Sequence, residues 1–518
     1  MMAGGEMGLF FALIMFLSQG AGDLLDMIST EAYWQHKNVV VTVEQLQADA
    51  DPGAQKVDAR KLIEDLGSTD YKVRESAARK IESMGPDVLP QVQAATESKD
   101  AEIAAAAKDL VTRLTVGSKG RDVRQLMAIR TLGERKEKAA LPLLKKLTES
   151  KKQFVSDYAV RAIAQIEGKP VQRLIDEKAL ANDVWQLPKN TGIVGQVTLR
   201  PNEGASMPPI DKLVSKAVDD AVAAGNAQPG VLPMPDKARL VSRVSAELIN
   251  LMERVGNVRI DGATLGVSDD MGRRGGWMML SVRGEYDPAA LVEAIKSIGH
   301  NDIQVEKKEG VDVVTLDPGE VYAMVPSSKQ FLIVGGPHGT NKTPVIDGLI
   351  TAIKTGKGTL HENKATSALI AKADMKAMLW LTGTLTEDMR EDVLKPFETF
   401  SGAVQRNKDV MTYKMSATGS DEEVIKKSVE DMKTEMQNNI NQMNQMIQQM
   451  PQMAASMKPV LDLMTGLKLE ANGKTATASG ELKGDALKSM LTSAVPFLGL
   501  MLREAPDAPM PIEPGIGN

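Results

Sequence analysis

The sequence predicts a multidomain protein in which an α-helical array is followed by an α+β module built on antiparallel strands. Between about Asp58 and Gly168, apolar or small residues recur at intervals of +4, +8 and +11, which is the spacing of one helix face. In the second half, short apolar runs end at glycines and turn residues, as strands do. The chain has 518 residues and exceeds what one hydrophobic core usually organises, so we expect several domains.

The helical signature is clearest in three stretches of the first half. They are Val73/Ala77/Ile81/Met84, Ile103/Ala107/Val111/Leu114 and Val155/Ala159/Ile163/Ile166. Each helix is too short to bury its apolar stripe alone, so neighbouring helix pairs must stack into a continuous core. Such stacks leave an extended surface, which favours a binding scaffold.

One unit of the array has the local signals of a helix–turn–helix repeat. Within Leu62–Ser98, a helix ends at Leu66-Gly67, Asp70 caps a second helix, and Gly85-Pro86 opens the next. This stretch resembles a HEAT repeat. The series continues through Asp100–Leu114, Asp122–Gly133, Ala139–Glu149 and Phe154–Gly168. The resemblance implies an α-solenoid of the kind attached to exported bacterial proteins, and says little about function.

The N-terminus suggests export. Gly8–Leu17 is an uninterrupted apolar run followed by the small residues of Ser18–Gly22, similar to a signal-peptide core and its cleavage region. The run is shorter than the roughly 20 residues of a membrane span. Glu6 and the lack of Lys or Arg before the run depart from the signal pattern, so an uncleaved membrane-proximal or core helix is the alternative. We predict a periplasmic or secreted protein, with membrane contact only through an uncleaved N-terminus.

Composition and turn residues divide the chain. Pro, Gly, Ala and Asn accumulate between Arg200 and Asp236, and we predict that a linker near Gly225–Pro235 separates independently folding pieces. The predicted parts are a signal peptide (1–22), an N-terminal segment (23–55), HEAT-like repeats (56–180), a strand plus linker (181–240), two α+β subdomains (241–358 and 359–503, the second with a Met-rich helical insertion) and a flexible tail (504–518).

Strand signals predict the form of the second half. Gly284, Gly419 and Gly484 each end a strand and are followed within three residues by an aspartate suited to cap a helix. A hairpin is predicted across Asn472-Gly473. These signals favour helices on an antiparallel sheet, with two ferredoxin-like halves split near Gly358 as one arrangement. In the first half, Val39–Val43 also has strand character, and Gly192–Arg200 is predicted to pair with the C-terminal region.

The helical array is basic although the whole chain has a net charge of −6. Between Lys119 and Lys152 there are 11 basic and 4 acidic residues. A basic surface attracts an acidic partner, and we predict a protein or an acidic envelope component. Nucleic acid is disfavoured because Phe154 and Tyr158 are the only nearby aromatic residues. The predicted partner-binding residues are Arg121, Arg124, Arg130, Arg135, Lys136, Lys145, Lys146 and Lys152; the alternative is a solvated outer face.

No pattern identifies a reaction. The chain has no cysteine, which excludes disulfides, thiolate nucleophiles and zinc–thiolate sites. The four histidines, His36, His300, His338 and His361, lack metal or triad spacing. We therefore expect a non-enzymatic protein without a cofactor, of unknown oligomeric state.

The leading alternative is a nucleotide-binding or enzymatic C-terminal domain. Residues 336–343 approximate a phosphate loop, in which Gly336, Gly339, Lys342 and Thr343 would meet the phosphates and Mg²⁺. Asn341 replaces the second glycine of the motif, and Pro344 removes a helix-start N–H group. A turn between a strand and a helix explains the same residues.

A second alternative uses the methionines between Met432 and Met464, whose spacing is that of a helical seam divided at Pro451. A packed amphipathic hairpin, an adaptable groove for apolar peptides, and a Cu(I) site are the three interpretations. The copper ligands would be Met443, Met446, Met450 and Met453.

Overall fold

The computed structural model describes residues 23–52, 58–84, 88–170, 175–199, 208–225, 237–270, 276–298, 303–317, 321–336, 342–387, 390, 394–407, 410–449 and 454–483. The predicted signal peptide, residues 226–235 of the predicted linker, the segment at Gly484 and the C-terminal tail lie outside these residues, as do Gly339, Met450 and Met453.

The N-terminal part is helical. Its helices are α1 (Thr30–His36), α2 (Val43–Ala50), α3 (Arg60–Asp65), α4 (Tyr71–Met84), α5 (Leu89–Ala95), α6 (Ala101–Glu134), α7 (Leu141–Leu147), α8 (Gln153–Glu167) and α9 (Glu177–Trp185). Two hydrophobic cores organise them. One lies among α3, α4, α5 and the first half of α6, and the other among α1, α2, α7, α8 and the second half of α6.

Helix α6 corrects one prediction of the sequence. Asp100–Leu114 and Asp122–Gly133 were expected to be separate helices, but α6 runs without a break for 34 residues. Asp100 caps it, accepting hydrogen bonds from the backbone N–H groups of Glu102 and Ile103. A glycine inside a helix costs only about 1 kcal/mol, which packing on both cores offsets. Long α6 therefore joins the two helical cores.

The rest of the chain is built on one antiparallel sheet of 12 strands in the order β11-β12-β10-β9-β8-β1-β2-β3-β7-β6-β5-β4. The strands are β1 (Thr191–Thr198), β2 (Arg259–Ser268), β3 (Met278–Glu285), β4 (Gln304–Lys308), β5 (Val311–Asp317), β6 (Val321–Ser327), β7 (Gln330–Gly335), β8 (Leu379–Thr384), β9 (Phe397–Asn407), β10 (Val410–Gly419), β11 (Lys468–Asn472) and β12 (Thr475–Lys483). The predicted α+β antiparallel class is confirmed.

Helices cover both faces of the sheet. They are α10 (Ile210–Gly225), α11 (Lys237–Val255), α12 (Pro288–Ile298), α13 (Thr343–Thr355), α14 (Lys364–Ile370), α15 (Glu422–Gln449) and α16 (Ala454–Gly466). Successive strand residues point to opposite faces. In β6, Met324 belongs to the core beneath α9, α13 and α14, whereas Ala323 packs towards α12. None of the described helices is long and apolar enough to cross a membrane.

The two halves of the sheet repeat the same connections. In one half, β2 and β3 are followed by α12 and by strands that return to β3; in the other, β9 and β10 are followed by α15, α16 and strands that return to β10. The Gly284 N–H group donates to the Lys329 carbonyl at 3.0 Å, and the Gly419 N–H group donates to the Lys474 carbonyl at 3.0 Å. Both contacts lie where the returning strand begins.

The predicted helix caps after two of the three glycines are confirmed. Asp287 accepts a hydrogen bond from the Ala290 N–H group at 3.0 Å, and Asp421 accepts one from the Val424 N–H group at 3.1 Å. These bonds satisfy N–H groups that the first turn of a helix leaves unpaired. The same local chemistry therefore starts the crossover helix in each half.

The ferredoxin-like expectation needs correction. β10, α15–α16, β11 and β12 form a split β-α-β unit, because β12 lies between β10 and β11. A ferredoxin-like half would add its fourth strand through a second crossover helix. Here β9 occupies that position and is joined to β10 by a hairpin, so the halves share only part of that arrangement.

The helical array and the sheet are not separated as predicted. The predicted boundary at residues 240/241 lies inside α11, and α11 contributes Ile249 and Met252 to the core of α1, α2, α6 and α8. Lys37 also forms a salt bridge with Glu253 at 2.6 Å. Apolar burial against α6 thus continues beyond the linker, which composition alone could not reveal.

Candidate partner-binding site

A groove opens at one end of the helical array, between α1 and the C-terminal end of α6. Its cavity has a volume of about 540 Å³. The residues that line it are Thr30, Glu31, Trp34, Gln35, Asn38, Val39, Val40, Val41, Thr131 and Arg135. We call it the valine groove, because the consecutive valines form one wall.

The valine wall is an extended segment with strand-like burial. Val39, Val41 and Val43 are half-buried against the hydrophobic core, whereas Val40 and Thr42 are exposed. This alternation is that of a strand with one buried face. The predicted strand at Val39–Val43 is nevertheless wrong, because no described residue pairs with the segment as a strand. Val40 is 88% exposed, the highest exposed fraction among the large apolar residues that the structure describes.

A buried tryptophan forms the floor of the groove. Trp34 is 4% exposed, and its Nε1 group donates to the Thr131 Oγ1 atom at 2.9 Å. The Thr131 hydroxyl donates in turn to the Met127 carbonyl within α6 at 2.6 Å. Tyr33 packs edge-on against Trp34 with 5.0 Å between ring centroids. The floor is therefore held by hydrogen bonds and packing rather than by loop contacts.

Arg135 lines the valine groove, and two more cations follow it within three residues of the sequence; we call the three the rim cations. Arg135 donates from Nη1 to the Val41 carbonyl at 3.2 Å, and Lys136 and Lys138 follow it at the end of α6. All three are exposed. Within the described part of the chain, none of the three forms a salt bridge. An acidic group on a partner would therefore find uncompensated positive charge here.

The other predicted partner-binding residues lie elsewhere. Arg130 points into the protein: its side chain is 11% exposed, and Nη1 donates to the carbonyls of Leu25 at 2.6 Å and Ile28 at 2.8 Å. Burial opposes its charge, but Asp26 and Glu134 outweigh burial and raise the pKa of Arg130. Arg130 is thus part of the fold rather than of a surface for a partner.

Several predicted cations already have acidic partners within the chain. The Arg124–Asp49 pair is 3.0 Å long, the Lys146–Asp51 pair 2.6 Å and the Lys152–Asp122 pair 2.8 Å. Arg121 is half-buried near the middle of α6, and Lys145 is exposed on α7. Of the eight predicted residues, Arg135 lines the valine groove, and Lys136 follows it in the sequence. Lys138 is one of the 11 basic residues between Lys119 and Lys152, but it was not selected as a partner-binding residue.

The lysine of the predicted phosphate loop is buried rather than open to a ligand. Lys342 is 1% exposed, and its Nζ atom donates to the Gly276 carbonyl at 3.2 Å. Burial lowers the pKa of Lys342, and the nearby Asp270 opposes that shift. The side chain packs so closely on Gly336 that a Cβ atom there would lie 2.7 Å from the lysine Cε atom. Lys342 therefore packs near the start of β3 and the end of β7, directly before α13 begins at Thr343. Residues 337–341 of the motif lie outside the described residues.

The Met-rich segment forms a helical hairpin, α15 and α16, against β11 and β12. Ile425, Val429 and Ile440 are its buried residues on α15. Met443 is half-buried and Met446 is 39% exposed. No group of three or more His, Asp or Glu side chains with metal-binding geometry occurs among the described residues. The packed-hairpin interpretation fits these contacts.

Two of the four histidines are described, and both are structural or surface residues. His361 stacks on Trp185 with 4.7 Å between ring centroids. His36 is exposed at the end of α1, where partial burial and the neighbouring Lys37 lower its pKa. His300 and His338 lie outside the described residues.

Comparisons with known proteins add little to this geometry. No protein-family model matches the chain, and no curated protein matches it. Solved structures of TP0453 show a weak likeness. Crystal form III is 10% identical, covers 60% of this chain and 97% of its own, and has a TM-score of 0.31. Crystal form I is 9% identical, covers 60% and 96%, and has a TM-score of 0.29. Crystal form IV is 8% identical to this chain, covers 60% of this chain and 96% of its own, and has a TM-score of 0.30.

Proposed function

We propose that this chain is a non-enzymatic, exported scaffold that binds an acidic segment of a partner protein at the valine groove. The observation that carries the proposal is the combination of an exposed valine, a rigid tryptophan floor and three rim cations without internal carboxylate partners among the described residues. Apolar contact provides binding free energy, and the cations select for acidic partners.

Export and the HEAT-like character of the array are parts of this proposal that rest on the sequence. The apolar run Gly8–Leu17 and the small residues after it support export. The repeated apolar spacing from α4 to α8 supports a HEAT-like array, whose stacked helices would hold the groove in place.

Charge reversal at the rim tests the proposal. We expect R135E/K136E to weaken binding of a fluorescent peptide of alternating Val and Glu by at least about tenfold, which is ~1.4 kcal/mol. The physical reason is that attraction at the rim becomes repulsion. Binding by the unmodified protein should also weaken as salt rises, because exposed charges are screened over about 10 Å at 0.1 M ionic strength. Fluorescence anisotropy measures both effects.

The matched control is K61E/K72E, which makes the same change of charge on exposed residues of α3 and α4. Its affinity for the peptide should stay at the unmodified value. A peptide of alternating Val and Lys should bind the unmodified protein less tightly than the acidic peptide. If R135E/K136E and K61E/K72E behave alike, only overall charge matters and the groove is not the binding site.

A further inference from the structure

We propose that the partner binds by strand addition: an extended acidic segment of another protein pairs through its backbone with Val40. This inference rests on the proposed function, and it names the mode of recognition and the conformation of the ligand. Recognition by strand addition uses main-chain hydrogen bonds for affinity and alternate side chains for specificity.

The hydrogen bonds around the valines define which backbone groups remain available. The Val39 N–H group donates to the Trp34 carbonyl at 3.3 Å, and the Val41 carbonyl accepts from Arg135 at 3.2 Å. One backbone group of each residue therefore points towards the protein. In an extended chain, the next residue directs its groups to the opposite edge. The Val40 N–H and C=O groups thus face outward.

Val40 has the properties of an unpaired edge strand. An exposure of 88% for the residue requires that its backbone, as well as its side chain, is open to solvent. Among the described residues, neither backbone group of Val40 has a hydrogen-bond partner. A residue opposite Val40 in an antiparallel partner would exchange two N–H···O bonds with it. Exposed edges of this kind are templates for pairing with another chain.

The charge around the segment selects the occupant. Arg135 contacts the Val41 carbonyl, and Lys136 and Lys138 follow Arg135 within three residues. The acid that lines the same groove, Glu31, is paired with Lys212 at 2.8 Å. Attraction between exposed charges acts over about 10 Å at 0.1 M ionic strength, so a paired strand does not need to touch these cations to benefit from them. A second copy of this chain would instead bring the same positive rim against itself. An acidic segment of another protein is therefore the better match.

The test separates the backbone from the side chain at position 40. V40P removes the N–H donor, and its fixed φ suits an extended segment. V40T keeps the N–H donor and replaces one methyl group of the side chain with a hydroxyl group. With the Val/Glu peptide, we expect V40P to weaken binding at least fivefold and V40T less than twofold. A peptide methylated on alternate backbone nitrogens should bind the unmodified protein at least fivefold more weakly. Circular dichroism checks that both variants are folded.

Each outcome decides between explanations. If V40P binds like the unmodified protein while R135E/K136E does not, the proposed function stands and strand addition is overturned. If neither V40P nor R135E/K136E weakens peptide binding, or if no peptide binds up to about 1 mM, the proposed function and strand addition are both overturned. A dimer in sedimentation that V40P dissociates would show that a second copy occupies the edge, which also contradicts an acidic partner.

Discussion

Replacing Arg161 with methionine is expected to lower the free energy of unfolding by about 3–5 kcal/mol, because it removes the cation that contacts two largely buried carboxylates. Arg161 lies on α8, and its guanidinium contacts Asp23 at 2.9 Å and Asp26 at 2.7 Å. Asp23 is 5% exposed and Asp26 is 19% exposed. The guanidinium also lies over the Tyr158 ring, 4.6 Å from its centroid. Equilibrium urea unfolding followed by circular dichroism measures the change.

The effect should be large because the contacts of Arg161 with Asp23 and Asp26 hold the segment that begins at Asp23 against the rest of the protein. Within this segment, the Leu24 N–H group donates to the Val258 carbonyl at 2.8 Å, next to β2. Ser29 donates to Asp211 at the start of α10, with an oxygen–oxygen distance of 2.7 Å. The segment therefore connects the helical array with the sheet, and losing its anchor should loosen both.

Arg79→Met is the matched control for Arg161→Met. Arg79 forms a salt bridge with Glu75 on the surface of α4, and its side chain is 75% exposed. Exposed pairs of this kind contribute about 0–1 kcal/mol. If both methionine variants unfold at the same urea concentration, the buried ion pairs of Arg161 stabilise the protein no more than the exposed pair of Arg79 does.

The second large effect is expected at the glycines that end β3 and β10. A Cβ atom at Gly284 would lie 1.8 Å from the Arg259 carbonyl oxygen, and one at Gly419 would lie 2.2 Å from the Pro396 carbonyl oxygen. Backbone atoms cannot rotate away as a side chain does, so the strand pairing itself must shift. We expect Gly284→Ala and Gly419→Ala each to cost about 3 kcal/mol or more in urea unfolding, at or above the usual range for overpacking.

Gly348→Ala provides the control for these glycine substitutions. Gly348 lies inside α13, and a Cβ atom there meets nothing within 4 Å. Alanine in a helix interior is favoured over glycine by about 0.5–1 kcal/mol, so this variant should be slightly more stable. Equal stability of Gly284→Ala and Gly348→Ala would contradict the close strand contact.

Much of the fold could be predicted because its signals are local. Asp287 and Asp421 were predicted as helix caps from the glycine and aspartate before each helix. The hairpin between β11 and β12 was predicted from Asn472-Gly473; it is present, but Asn472 pairs with Thr475, so the turn residues are Gly473 and Lys474, and Gly473 has a φ of 56°. The predicted pairing of the β1 region with later strands is confirmed by its contacts with β2 and β8.

The strand order could not be predicted, because it depends on contacts between distant residues. Whether the fourth strand of each half enters by a crossover helix or by a hairpin leaves no local signal in the sequence. The continuity of α6 was missed for a related reason. Its central glycines interrupt the apolar pattern, but the helix continues through them, and Glu253 on α11 lies close to Gly120.

The candidate site was predicted only in part, because it too depends on contacts between residues that are distant in sequence. Counting charges identified Arg135 and Lys136, but it also selected Arg124 and Arg130, whose acidic partners Asp49 and Asp26 lie far away in sequence. The groove itself required the contact between Trp34 and Thr131, which are 97 positions apart. One local signal was available: Val39–Val43 has strand character but no neighbouring strand signal to pair with.

Photo-crosslinking from position 40 tests the central claim most directly. A benzophenone amino acid replaces Val40 in one variant and Val160, a 53% exposed valine of α8, in another. In cells that express the protein, we predict an adduct from position 40 that maps to an acidic segment of the partner and disappears in R135E/K136E. The Val160 variant should give no such adduct. An adduct that survives the charge reversal, or that forms equally from both positions, would contradict recognition at the valine groove.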